Sequence, residues 1–391
     1  MIEVKERIYW VGVVDWNVRN FHGHLTNRGT TYNAYLVVDD KVALVDTVKE
    51  SFFPEMLQRI REIVDPKEID YVVSNHTEPD HSGSVARIME IASGAELIAS
   101  DRGKTGLQKY FGKDLNVTTI TEKPKISLGK RTLQFFATPM VHWPDSMVTY
   151  VPEEKLLLSN DAFGQHIATS KRFDDEVDLA ATMQEAANYY ANIVMPLWKP
   201  TQRALEALGG LKIDTIAPSH GIIWRSKPSE ILTAYRRWVD GVAQDRVVVV
   251  YDTMWGSTER VAKALIEGIA QEGVQAQLYK LGETHISTVV TDVLDSKAVL
   301  VGGPTLNTTL FPSVASFLAY LKGLKPKNKF GAYFGSYGWG GGAKKAGEEE
   351  LRAAGIELVE SDLDFVYRPT DEELKRAVEF GRRIAGKVKG T

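Results

Sequence analysis

His76-Thr77-Glu78-Pro79-Asp80-His81 is the stretch from which the rest of the chain is read. It follows Ile69-Asp70-Tyr71-Val72-Val73-Ser74, an apolar run with the length and β-branched content of a buried strand. Ser82-Gly83-Ser84 comes next, and residues 85–91 then carry the apolar spacing of a helix. His76, Glu78, Asp80 and His81 therefore crowd one strand-to-helix turn, at the carboxyl end of a strand, where α/β proteins place their sites. In extended backbone, positions 76, 78 and 80 project to one side, while His81 begins the turn and swings back. One loop can then serve two neighbouring metal ions, with His76 and Glu78 on one and Asp80 and His81 on the other. A single His or Asp in such a turn is usually a cap or a solvated side chain. Four ligand types in six residues are better explained by metal.

At 391 residues the chain is too long for one ordinary core, so two domains are expected. Hydrophobic residues at 43% and charged residues at 25% are those of a soluble globular protein. A formal net charge of −4 argues against nucleic acid as a partner. No apolar run is long enough to span a bilayer, and Met1-Ile2-Glu3-Val4-Lys5 is not a signal peptide, so no membrane association is expected. Cysteine is absent, which excludes disulfides, thiolate-ligated zinc, iron–sulfur clusters and a rubredoxin module on this sequence. A cytoplasmic location is the simplest fit.

Residues 1–245 mix hairpins with βα units. Ile8 to Val14 reads as a first strand, and Tyr32 to Thr47 as a hairpin turning at Asp39-Asp40. Helices are expected at 52–63, 102–111, 176–193 and 228–242, with further hairpin turns at Leu128-Gly129-Lys130 and Pro152-Glu153-Glu154. This mixture predicts an αββα sandwich, two sheets between helices. Asp240 to Asp245 reads as a linker. Residues 246–391 then alternate regularly: strands at 247–251, 275–280, 298–302 and 330–335, and helices at 257–271, 312–322, 343–354 and 371–387. That rhythm predicts a doubly wound parallel sheet.

Three further ligand candidates follow apolar strands in the first half: His142 in Met140-Val141-His142-Trp143-Pro144-Asp145-Ser146, Asp161 after Leu156 to Asn160, and His220 after Thr215 to Ser219. All three occupy the position that site loops take in α/β proteins. The seven residues together resemble the metallo-β-lactamase superfamily, whose loop reads His-x-His-x-Asp-His. Glu78 stands in place of the second histidine, and a set of four histidines and three carboxylates suits iron better than zinc. A dinuclear site needs a bridge, and Asp161 is the candidate.

In the second half, Thr253-Met254-Trp255-Gly256-Ser257-Thr258 lies between a strand and a helix. Its hydroxyls, backbone N–H groups and helix N-terminus suit a phosphate monoester. No Gly-Lys-Ser/Thr follows, so nucleotide hydrolysis is unsupported. Two later loops, Gly303-Pro304-Thr305-Leu306-Asn307-Thr308 and Gly335-Ser336-Tyr337-Gly338-Trp339-Gly340-Gly341-Gly342, offer glycines that admit a flat ring and aromatics that stack on it, with Pro304 to Asn307 and Ser336 to Gly341 the expected contacts. The three loops resemble flavodoxin, which implies FMN.

With both motif sets in order, the whole chain resembles the flavodiiron proteins. The resemblance implies that His76, Glu78 and His142 hold one iron, that Asp80, His81 and His220 hold the other, and that Asp161 bridges. It also implies reduction of dioxygen to water, of nitric oxide to nitrous oxide, or both. His22 and Tyr189 match family residues lining the pocket beside the irons, and His166 falls outside the ligands themselves. His24 and His285 receive no functional assignment. The electron donor is expected to be a separate rubredoxin-like protein or a reduced deazaflavin or nicotinamide carrier, since no donor domain follows Thr391. A head-to-tail homodimer, or a dimer of dimers, is implied as well, with Trp143 and Trp339 candidates for its junction. A binuclear metallo-hydrolase with an attached flavodoxin domain and a plain electron carrier are the competing readings. Glu78 and seven intact ligand candidates count against them.

Overall fold

In the computed structural model, which describes residues 1–390, the chain forms two compact units. The first comprises Met1–Tyr189 and Leu197–Arg236, and the second comprises Tyr190–Pro196 and Arg237 onward.

The first unit is built on a seven-stranded and a five-stranded sheet. The seven-stranded sheet runs Ile2–Lys5, Ile8–Trp10, Tyr35–Val38, Val42–Val45, Ile69–Ser74, Glu96–Ala99, Val117–Thr119. The five-stranded sheet runs Lys125–Ser127, Thr132–Ala137, Met147–Val151, Leu156–Asn160, Thr215–Pro218. Strand alternation sorts the side chains between two cores. Tyr35 and Val37 join Val73, Ile98, Leu133, Phe135 and Leu158 between the sheets. Leu36 and Val38 face the other way, onto a core with Met56, Ile60, Ile88 and Leu107 from the covering helices. This is the αββα sandwich expected from the mixed pattern. In this unit the site loops leave the carboxyl ends of Ile69–Ser74, Leu156–Asn160 and Thr215–Pro218.

Three local expectations are corrected. The run from Ile8 to Val14 is two strands in different sheets, Ile8–Trp10 and Val13–Asp15. They part at Gly12, where an added Cβ would stand 2.3 Å from the Tyr32 carbonyl, so the backbones touch there and the strand bends away. The helix expected over 176–193 is Leu179–Tyr189 followed by a π-helical turn, Tyr190–Val194. The turn after Glu78 is helical from Pro79 to Ser82, so Asp80 and His81 come off a helical turn rather than extended backbone. An unexpected helix, Trp198–Leu208, was hidden by Pro196 and Pro200, although a proline in the first turn of a helix loses no hydrogen bond.

The second unit is a parallel sheet in the order Gln275–Lys280, Gln244–Tyr251, Ser296–Pro304, Phe330–Tyr337, Glu357–Leu358. Asp364–Val366 also pairs in parallel with Phe330–Tyr337. The connections reverse direction between Gln244–Tyr251 and Ser296–Pro304, which opens a crevice at their carboxyl ends. One helix here was not expected: Ile286–Leu294 is rich in β-branched residues, yet His285 caps it through Ser287 and Val289, Val290 and Val293 are buried. Among the described residues no helix is long and apolar enough to cross a membrane.

Candidate metal centre and flavin cavity

The seven expected metal residues meet in the first unit. His76, Glu78, His142 and Asp161 form one group and Asp80, His81 and His220 another, with the ligand atoms of each group within 4.8 Å of one another. Asp161 stands between the groups. Its Oδ2 is 3.2 Å from His142 Nε2 and 3.6 Å from His76 Nε2, while its Oδ1 is 3.0 Å from His81 Nε2 and 3.4 Å from His220 Nε2. All but His142, which is partly exposed, are buried.

The donor chemistry fits metal. Both oxygens of Asp80, both ring nitrogens of His81 and Oδ2 of Asp161 are buried without a hydrogen bond, although oppositely charged atoms are close. Burying such groups is costly unless something coordinates them. Burial opposes the charge of Asp161, but His81 and His142 hold its carboxyl well below the usual range. Glu78 is likewise held low against burial, by His142, His22 and His76, and Asp80 by His81 and His220. Three acids thus stay ionised in a dry pocket, a natural seat for cations.

The histidines carry the counter-charge when no metal is bound. Burial works against the His76 proton, yet Asp145, Glu78 and Asp161 raise the ring to about 10. Asp161 and Glu78 do the same for His142, also to about 10, and Asp80 and Asp161 raise His81 to about 9. Metal ligation requires the neutral rings. At pH 8 the metal-free protein is therefore expected to release protons on loading iron(II), up to one from each of these three rings. Affinity should then climb as pH rises from 7 towards 10. A dye-monitored titration in weak buffer checks this; pH-independent binding without proton release would contradict it.

Around the ligands, orientation is set by hydrogen bonds. His76 Nδ1–H donates to Asp145 Oδ2 at 3.0 Å, and Thr77 N–H donates to the same oxygen at 2.7 Å. His220 Nδ1–H donates to the Thr31 carbonyl at 2.7 Å, which turns Nε2 inward. Gly221 follows directly, and an added Cβ there would stand 1.6 Å from Gln165 Oε1, so only glycine lets the chain leave His220 on this path. Asp145 was not singled out from the sequence, although it lies in the quoted stretch beside His142. Its carboxylate after Pro144 has the look of a turn residue.

His22 occupies a half-exposed hairpin turn, with Nε2 2.7 Å from Glu78 Oε1. Tyr189 is buried with its ring 5.1 Å from His166 and 6.2 Å from His220. His166 Nδ1 lies 2.8 Å from the Thr30 hydroxyl, and burial beside His220 and His24 keeps the ring well below its usual pKa, hence neutral. The Trp143 ring stands edge-on to His76 at 5.0 Å. His285 is a helix cap in the second unit.

In the second unit the three expected loops surround a cavity of about 800 Å³. Every residue expected to contact flavin lines it except Gly256, Thr258 and Gly341. Gly256 instead donates its N–H to the Thr253 hydroxyl at 3.0 Å, and the buried Thr258 hydroxyl sits 3.3 Å from Ser336 Oγ. The helix Ser257–Gln271 begins without a side-chain cap, which leaves its first amides for an anionic acceptor such as a phosphate. Met254, Trp255 and Trp339 are exposed at the rim, as a site for a flat apolar ring requires. Thr308, which closes the second of these loops, also lines the cavity, as do Tyr367 and Arg368, which carried no sequence signal.

Residues 30–221 match the family described as ODP family beta lactamase, and residues 249–381 match flavodoxin. The class is thus a β-lactamase-like metal domain joined to a flavodoxin domain. The chain is 50% identical over 393 residues to the nitric oxide reductase of Moorella thermoacetica, spanning 99% of this chain and 98% of that one. It is 39% identical over 394 residues to the rubredoxin-oxygen oxidoreductase of Megalodesulfovibrio gigas, spanning 99% and 98%. The crystal structure of the flavodiiron protein from Giardia intestinalis matches with a TM-score of 0.97 at 36% identity, over 100% of this chain and 97% of that chain. The chain belongs to the flavodiiron protein family.

Proposed function

We propose that this chain is a flavodiiron oxidoreductase in which electrons from an external donor enter through FMN and reach a pair of irons that reduces nitric oxide, dioxygen or both. The observation that carries the reading is Asp161, whose two oxygens each face one ligand group. Bound iron would supply a redox change, which zinc cannot, together with open coordination positions for a diatomic gas. The chain's own residues hold and orient it. His76, Glu78 and His142 would hold one ion, and Asp80, His81 and His220 the other, with Asp161 between them. Asp145 and the Thr31 carbonyl keep His76 and His220 in the ligating tautomer. His22 engages Glu78 Oε1 and leaves Oε2 turned towards His76 and His142. The rings of Phe21, Tyr189 and Trp143 pack against the ligand histidines and keep water away from them. The hydrolase reading is disfavoured by Glu78 and by a flavin cavity on the same chain. Anaerobic reduction followed by mixing with each gas tests the activity, and failure to reoxidise with either would sink it.

Residues 1–245 would serve as the diiron module and residues 246–391 as the FMN module. The cofactor of the latter is FMN rather than FAD: the uncapped helix and the hydroxyls of Thr253 and Ser257 suit a terminal phosphate, and no dinucleotide glycine fingerprint occurs in this half. Acid is expected to release a yellow cofactor that chromatographs as FMN, and recovery of FAD would refute the assignment. The name of the Megalodesulfovibrio relative supports rubredoxin as one donor class, beside reduced deazaflavin or nicotinamide carriers. A cytoplasmic setting suits such donors.

A head-to-tail homodimer, or a dimer of these, would set each protomer's flavin loops against its partner's metal loops. A two-fold axis generates both junctions at once. Mixing a chain carrying His81→Ala and His220→Ala with one unable to bind FMN should restore activity at one junction per mixed dimer. If dilution to monomer leaves turnover per chain unchanged, the dimer is not required.

A further inference from the structure

The last strand of the second unit, Asp364–Val366, lies beside Phe330–Tyr337 with Tyr337 opposite Val366. The chain then turns through Tyr367, whose φ of 56° is left-handed and whose N–H donates to the Tyr337 carbonyl at 2.7 Å. Pro369 is buried, and Thr370 caps the terminal helix. Arg368, between these anchors, is confined to extended backbone by the proline that follows it. Arg368 lines the flavin cavity. Among the described residues there, it is the one charged group; the others are hydroxyls, amides, glycines and apolar or aromatic side chains. No carboxylate lines the cavity, and among the described residues Arg368 has no hydrogen-bond or ion-pair partner.

The strand order fixes which end of a ligand meets this guanidinium. From the Thr253–Ser257 turn, the sheet steps through Ser296–Pro304 and Phe330–Tyr337 before reaching Asp364–Val366. Three strand spacings amount to roughly 14 Å. A flavin with its phosphate at the hydroxyl turn therefore presents its ring system, not its phosphate, towards Arg368.

We propose that Arg368 sets the reduction potential of the flavin by stabilising the negative charge that reduction places on its ring. Two electrons from the external donor and one proton convert the neutral oxidised ring into an anion, with the charge spread over N1 and the C2 carbonyl. A planar guanidinium with parallel N–H groups complements that edge. A fixed positive charge favours the reduced form over the oxidised one, and so raises the potential. Because Arg368 is exposed, added salt weakens the effect.

The inference rests on the FMN reading. The test uses the full chain loaded with iron and FMN, with Arg368→Gln and Arg368→Lys compared against the unaltered protein. Each is equilibrated with a two-electron reference dye while the flavin absorbance is read. At fixed poise the reduced-to-oxidised ratio should fall about tenfold in Arg368→Gln, equivalent to ~30 mV for a two-electron couple. Arg368→Lys should fall between the two, high salt should shrink the difference, and affinity for oxidised FMN should stay within about twofold. An unchanged ratio overturns the proposal. So does an equal loss of affinity for oxidised and reduced FMN, which would mean that Arg368 binds the phosphate. An unaltered chain that binds no FMN overturns the flavin reading together with it.

Discussion

Asp161→Asn is expected to leave the protein unable to retain its metal pair. The native carboxylate keeps its charge in a buried pocket and faces one ligand group with each oxygen. The amide has one neutral oxygen, and its NH2 would aim donors at whichever cation lay on that side. Ser219 Oγ–H now donates to Oδ1 at 2.9 Å, and that bond favours placing the amide oxygen on the side of His81 and His220. The NH2 then faces His76 and His142, and the ion held there should be lost first. Altering a residue that merely supports a ligand costs about 10–100-fold in affinity, so the loss here should exceed a hundredfold. Iron analysis after dialysis reads the outcome. Two irons per chain with full activity would remove Asp161 from the bridging role.

Asp46→Ala should cost the first unit about 3 kcal/mol or more, a drop of ~6–12 °C in its melting transition. Asp46 is buried and accepts from Asn75 N–H at 2.8 Å, Asn75 Nδ2 at 3.0 Å and Asn160 Nδ2 at 3.2 Å. Asn75 immediately precedes His76, and Asn160 immediately precedes Asp161. The Thr149 hydroxyl closes the network by donating to Asn75 Oδ1 at 2.8 Å. Truncation therefore leaves three buried donors unsatisfied and frees two metal-bearing turns together. Calorimetry with and without metal should show the drop in both states, with weaker iron retention besides. A transition within about 2 °C of the native one would show that the network relaxes without cost.

What could be read in advance follows from how locally each signal is written. His76, Glu78, Asp80 and His81 were legible because four ligands fall in six consecutive positions after a strand. The parallel sheet was legible because its central strands are continuous apolar runs, Val247 to Val250 and Ala298 to Val301 among them. Asp145 was not, because its role depends on the hairpin pairing that carries it beneath His76. Asp46 was hidden for the same reason: it serves Asn75 and Asn160, far away in sequence. The helix Ile286–Leu294 was masked by β-branched residues, and Asp364–Val366 was too short for a period to register. Tyr367 and Arg368 reach the flavin cavity only through that short strand.

The ligands of the metal pair are spread from position 76 to position 220. Once both ions are in place they act as a cross-link that closes a very long stretch of chain, and loops of that size gain most from closure in principle. Two consequences concern the history of the molecule rather than its chemistry. During synthesis no fragment shorter than His220 can complete the second ion's ligand set, whereas the residues of the first are all present once Asp161 has been made. In the mature protein, the bound ions favour the folded first unit over the unfolded chain, in which these ligands lie far apart, and so add to its stability.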